Sequence, residues 1–201
     1  ARQVVEKILS TGQSAETACF DVSDRKATSH HLENILESGP VQVLVNNAGI
    51  YDDATMAGMS FEQWDRVIQT TLNGFFNVTQ PLLLPMIRTR LGRVISISSI
   101  TGVAGNRGQT NYAAAKSGLH GASISLSKEV ASRGITVNVV APGIIQSPTT
   151  DKYFSDSDVE NLIPIKRRGT PQEIADVVVF LASKKASYIS GQILNVNGGM
   201  F

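Results

Sequence analysis

One serine, one tyrosine and one lysine are spaced in this chain so that they can handle a single proton. Ser99 follows the apolar, strand-like run Val94 to Ile97, and Tyr112 and Lys116 lie one helical turn apart in Asn111-Tyr112-Ala113-Ala114-Ala115-Lys116. A free phenol titrates near pH ~10, too high for acid–base work at neutral pH. A lysine cation nearby favours the phenolate and is expected to lower that value. A tyrosine tuned this way gives a proton to a carbonyl oxygen or takes one from an alcohol. A serine hydroxyl alongside holds the same oxygen by a hydrogen bond.

The elements around these residues must bring them together. Residues 2–11 read as the end of an amphipathic helix, Ala15 to Val22 as a strand and Asp24 to Glu37 as a helix. Val41 to Asn46 is nearly all apolar, the signature of a strand buried on both faces of a parallel sheet. Ser60 is a fitting N-cap for a long helix in which Trp64, Ile68, Leu72 and Phe75 recur as core residues. Pro81 and Pro85 are expected to bend or interrupt it. Arg93 to Ser98 is the next strand, Asn111 to Ser132 a helix and Ile135 to Val140 a strand. Residues 143–169 form a long connection with short helices of its own. Thr170-Pro171 opens another helix in the N-cap/N1 arrangement, and Gln192 to Val196 is the last strand. This alternation predicts one α/β domain over residues 1–201, a doubly wound, Rossmann-like parallel sheet. Ligands of such sheets bind beyond the carboxyl ends of the strands, where Asp21, Asn46, Ser99 and Ala141-Pro142-Gly143 fall.

Composition removes several alternatives. The chain of 201 residues is 42% hydrophobic and 17% charged, ordinary for a globular domain with a real core. No apolar run is long enough to cross a membrane, and no signal-peptide pattern opens the chain. A net charge of +1 gives no argument for nucleic acid. His30, His31 and His120 show no metal-ligand spacing, so no metal is expected. The single cysteine, Cys19, suits a reducing cytoplasm and reads as a buried thiol in Thr17-Ala18-Cys19-Phe20. Gly102-x-x-Gly105-x-x-Gly108 has the wrong spacing for a phosphate cradle and reads as an active-site loop.

Four elements in one order carry a family resemblance: Asn46-Asn47-Ala48-Gly49, the Ser99/Tyr112/Lys116 set, Asn138-Val139-Val140-Ala141-Pro142-Gly143, and Asn197-Gly198-Gly199. From about Asp21 to Phe201 the chain resembles the short-chain dehydrogenase/reductase family, nearest its 3-oxoacyl-[acyl-carrier-protein] reductases. Only Ser99, not Ser98, stands the family's thirteen residues before the tyrosine. The family opens with a strand, a Thr-Gly-x-x-x-Gly-x-Gly turn that holds the cofactor pyrophosphate, a helix and a second strand. No such motif precedes Asp21. In the family's strand order 3-2-1-4-5-6-7 the first two strands are therefore missing, and a parent protein longer by roughly 40 residues is expected.

The resemblance implies NADPH as cofactor, with Tyr112 as proton donor and Ser99 holding the substrate carbonyl. It implies that Lys116 tunes the tyrosine and bonds the nicotinamide ribose. Asp21 and Val22 match a pair that contacts adenine, and Asn46, Ala48 and Gly49 the adenosine side. Pro142, Gly143 and Ile145 match the loop lining the nicotinamide, and Ser147 replaces a threonine that bonds its carboxamide. One departure stands out: the family's relay asparagine is Thr71 here. The implied reaction is reduction of 3-oxoacyl-[acyl-carrier-protein] in fatty acid synthesis by a cytoplasmic homotetramer. Acyl carrier protein is the implied partner, and Arg90 and Arg133 are candidate docking residues because both fall at helix ends. A related dehydrogenase acting on an acyl-CoA, sugar or steroid, or a non-catalytic cofactor-binding subunit, remains open from the sequence.

Overall fold

The computed structural model describes all 201 residues. Its centre is a parallel sheet of four strands in the order β1 (Val43–Asn46), β2 (Gly92–Ile97), β3 (Ile135–Pro142) and β4 (Ile193–Val196). The helices are α1 (Arg2–Leu9), α2 (Arg25–Glu37), α3 (Phe61–Ile68), α4 (Gly74–Thr89), α5 (Thr101–Ala104), α6 (Thr110–Val130), α7 (Pro148–Tyr153), α8 (Asp156–Leu162) and α9 (Pro171–Ala182). No helix is long and apolar enough to cross a membrane.

Alternation along the strands divides the core into two layers. Val94, Ile135 and Val137 turn to one face and pack with Leu32 of α2, Leu82 and Met86 of α4, and Leu126 and Val130 of α6. Ile95 and Val140 turn to the other face and pack against Leu181 of α9 and Ala186. Side-chain caps start the flanking helices where the sequence places them: Asp24 for α2, and capping boxes from Ser60 for α3 and Thr170 for α9.

Three expectations are corrected. Ala15 to Val22 is not a strand: it runs as irregular, mostly exposed chain, and Cys19 is exposed rather than buried. A strand exists only as part of a ladder, and no neighbour pairs with this segment. The sheet therefore has four strands rather than five. Nor do Pro81 and Pro85 interrupt the long helix, since α4 continues through both. The irregularity comes earlier, in a π-helical turn over Gln69–Asn73 that contains Thr71.

Candidate active site

The carboxyl ends of β2 and β3 and the first turns of α6 meet at one cleft. Successive residues after β2 turn to opposite sides. Ser98 is buried, donating to the Lys116 carbonyl at 3.1 Å with His120 Nε2 at 2.7 Å from its Oγ. Ser99 instead lines the open cleft, and its Oγ accepts from the Thr101 amide at 3.1 Å. Asn111, fully buried, fixes the start of α6: its Nδ2 donates to the Asp52 and Gln63 carbonyls at 2.9 and 3.1 Å, while its Oδ1 accepts from the Tyr112 amide at 2.8 Å. Tyr112 is thereby aimed into the cleft beside Ser99.

Lys116 lies beneath it. Its Nζ donates to the Ile97 carbonyl at 2.8 Å and stands 5.6 Å from the centroid of the Tyr112 ring. Burial pushes this lysine down to about 8. The expected depression of the Tyr112 phenol is not seen. Burial pushes it up, against a hydrogen bond with Ser99 that lowers it, and the negative charge of Asp53 raises it further. The cause is local: the phenol is withdrawn from water, and that desolvation disfavours the phenolate. The result is a tyrosine held protonated at neutral pH, the form that donates to a carbonyl oxygen.

The cleft has a volume of about 500 Å³, and Gly143 and Ser147 line it together with Ser99 and Tyr112. Its remaining wall is largely apolar, with Ile100, Ile144, Phe154, Leu162 and Met200. That suits a ligand with a carbonyl at the polar end and a hydrocarbon chain beyond it. A second, smaller cavity of about 140 Å³ gathers Val22, Asn46 and Ala48 with Thr71. Gly49 lies where these two regions face Lys116: a Cβ there would stand 3.1 Å from Lys116 Nζ and 3.7 Å from Thr71 Oγ1. Glycine keeps the space in front of the ammonium open, as a ribose hydroxyl seated there requires. Thr71 is 2% exposed and its Oγ1 has no hydrogen-bond partner. An orphaned buried hydroxyl and a lysine that has used one of three protons, both within 4 Å of the Gly49 Cβ position, suit an additional polar ligand. The residues present thus fit the nicotinamide–ribose half of a dinucleotide.

Other sequence candidates sit differently. Asp21 is exposed and its Oδ1 accepts from the Ser23 amide and hydroxyl, both at 2.8 Å, in a local turn. Ser147 caps α7 by accepting from the Thr150 amide at 3.1 Å, so its hydroxyl already serves the backbone. Ile145 bridges to Gly169 and lines a neighbouring pocket rather than the cleft. Pro142 ends β3, opposite Val196. Arg90 and Arg133 are exposed and adjacent, with Arg90 donating to the Ser132 carbonyl at 2.9 Å. They precede β2 and β3, at the amino ends of the strands, the opposite edge of the sheet from Ser99.

Sequence reasoning did not single out Asn111, Asp53 or Gln109. The contacts Asn111–Asp52, Asn111–Gln63 and Gln109–Asp53 span 48 to 59 residues, and no local spacing signals them.

A family model described as enoyl-(acyl carrier protein) reductase matches residues 1–201. The 3-oxoacyl-[acyl-carrier-protein] reductase FabG of Aggregatibacter actinomycetemcomitans is 42% identical over all of this chain and 84% of its own length. The enzymes of the same name from Salmonella typhimurium and Escherichia coli are 47% and 46% identical, each over 94% of this chain and 79% of their own length. With the parallel sheet and the serine, tyrosine and lysine gathered at its carboxyl edge, these similarities establish that the chain belongs to the short-chain dehydrogenase/reductase family.

Proposed function

We propose that this protein reduces the 3-oxo group of an acyl chain carried on acyl carrier protein, with NADPH as reductant, in fatty acid synthesis in the cytoplasm. The observation that carries the reading is the placing of Ser99 and Tyr112 in one apolar-walled cleft above Lys116, in a chain 47% identical to a 3-oxoacyl-[acyl-carrier-protein] reductase. Ser99 donates to the substrate carbonyl and orients it. Tyr112, held protonated, passes its proton to the oxygen as negative charge develops there. Lys116, with Gly49 before it, holds the nicotinamide ribose, the Pro142–Gly143 segment lines the nicotinamide, and Asn46, Ala48 and Val22 take the adenosine side; Asp21, Ile145 and Ser147 complete the set. Bound there, NADPH supplies the hydride.

Thr71 takes the position of a relay asparagine, and its free hydroxyl together with Lys116 is able to hold one water that returns a proton to Tyr112. Exposed apolar side chains on α4 (Phe76, Leu84) and α9 (Val179, Phe180) support a homotetramer built through helix faces, to be measured by light scattering.

The test is NADPH oxidation with a carrier-bound 3-oxoacyl substrate, a free ketoester, an enoyl thioester, and sugar and steroid ketones. Preference for the first supports the reading, and turnover of the enoyl thioester alone overturns it. Charge reversal of Arg90 and Arg133 to glutamate tests the carrier-docking assignment. A six-residue strand separates them from Ser99 by roughly 20 Å, so docking there serves a long carrier arm or the cleft of a neighbouring copy. Loss of kcat/KM on carrier-bound substrate alone, greater at low salt, is the expected outcome.

A further inference from the structure

Two segments that border the cleft are stitched together away from the reacting groups. The Ala54 amide donates to the Gly108 carbonyl at 2.9 Å, closing an isolated parallel bridge between Ala54 and Gln109. Beside it, Gln109 Nε2 donates to Asp53 Oδ2 at 2.8 Å. The other end of the same amide accepts from Thr101 Oγ1 at 3.2 Å and Asn106 Nδ2 at 3.0 Å. Gln109 is thus the hub of the Ser99–Gly108 segment, and the Asp53 carboxylate fixes which way its amide points. Were the amide to flip, its oxygen would face a carboxylate and its NH2 would face the Asn106 amide donor. Gln109, Thr101 and Asn106 all line the cleft, and Ser99 begins the segment.

We propose that Asp53 is a positioning residue for carbonyl reduction: through Gln109 it clamps the Ser99–Gly108 segment over the substrate. The proposal rests on the reductase reading for its effect on turnover, but the clamp itself does not. Asp53 is exposed and forms no ion pair, so no cation competes with Gln109 for its carboxylate, whereas nearby Asp52 is taken by Arg66.

Two variants test the clamp in the full-length protein. Asp53→Ala removes the acceptor for Gln109. Amides of residues 99–109 are expected to exchange with solvent about tenfold faster, and kcat/KM to fall about three- to tenfold, as for loss of one partly solvated charged hydrogen bond. Asp53→Asn keeps an acceptor for Gln109 without the charge. Its exchange pattern and kcat/KM should match the parent, because the carboxamide oxygen still accepts from Gln109 Nε2. Unchanged exchange in Asp53→Ala overturns the clamp whatever the activity. Exchange in Asp53→Asn as fast as in Asp53→Ala overturns the acceptor role given to this side chain. If the parent protein reduces no ketone, the reductase reading fails, and exchange alone still decides the clamp.

Discussion

The two sides of the sheet were built from similar apolar runs and came out differently. β2 and β3 are buried along nearly their whole length, with Val94, Val137, Val139 and Val140 at 0% exposure. β1 alternates, and its Val43 and Val45 are 43% and 41% exposed. Leu44 packs into the layer under α2 and α4, but no helix covers the opposite face of β1. Beyond β1, the apolar Ala15–Val22 segment finds no ladder at all. An apolar run becomes a buried strand only where both neighbours and both covering layers exist. The catalytic candidates hang from the complete side, and the residues matched to adenosine binding hang from the open one.

The largest effect that tests this contrast is at the complete side. Tyr112→Phe removes one hydroxyl from the cleft, so folding should persist while turnover falls by about two to four orders of magnitude. Steady-state NADPH oxidation checks this, and near-normal turnover would remove Tyr112 from the role of acid. Lys116→Met should also lower turnover, by about a hundredfold or more. Its effect on stability should be opposite in sign to what a buried ion pair would give. A lysine whose folded value of about 8 lies below the usual 10.5 destabilises the fold while it carries its charge. That cost is fully present below pH 8 and fades as pH rises from about 8 to 10.5. Melting of Lys116→Met at pH 7 is therefore expected at or above the parent temperature, with the advantage shrinking by pH 10.

Core truncation compares the two sides directly. Ile95→Ala, at 1% exposure, should cost about 2–5 kcal/mol, whereas Val45→Ala in the 201-residue chain should change stability by no more than about 0.5 kcal/mol. Urea unfolding of both variants decides this, and equal losses would mean that β1 is covered in solution. The smallest effect is at Thr71. Thr71→Val removes an unpaired buried hydroxyl, so stability should rise by about 1 kcal/mol while turnover drops a few-fold. Thr71→Asn should be as active as the parent or more so. Turnover indifferent to Thr71→Val would take the relay away from this position.

Local pattern fixed much of the fold. Runs of period two and 3.6 and caps such as Ser60 and Thr170 are set by neighbours in sequence, so the helices and all the strands but Ala15–Val22 fell within a few residues of expectation. The serine, tyrosine and lysine were legible for the same reason: a helical turn joins two of them, and a strand end presents the third. What the tertiary structure alone decided depends on desolvation and on partners distant in sequence. Burial, not the lysine, governs the Tyr112 phenol, and no spacing of residues reports how much water a site excludes. The Asp53–Gln109 and Asn111–Asp52 contacts join segments more than fifty residues apart, which only the packing of α6 against the loop after β1 brings together. Ala15–Val22 has a strand's composition without a strand's neighbours, because a strand is completed by hydrogen bonds to another segment and not by its own side chains.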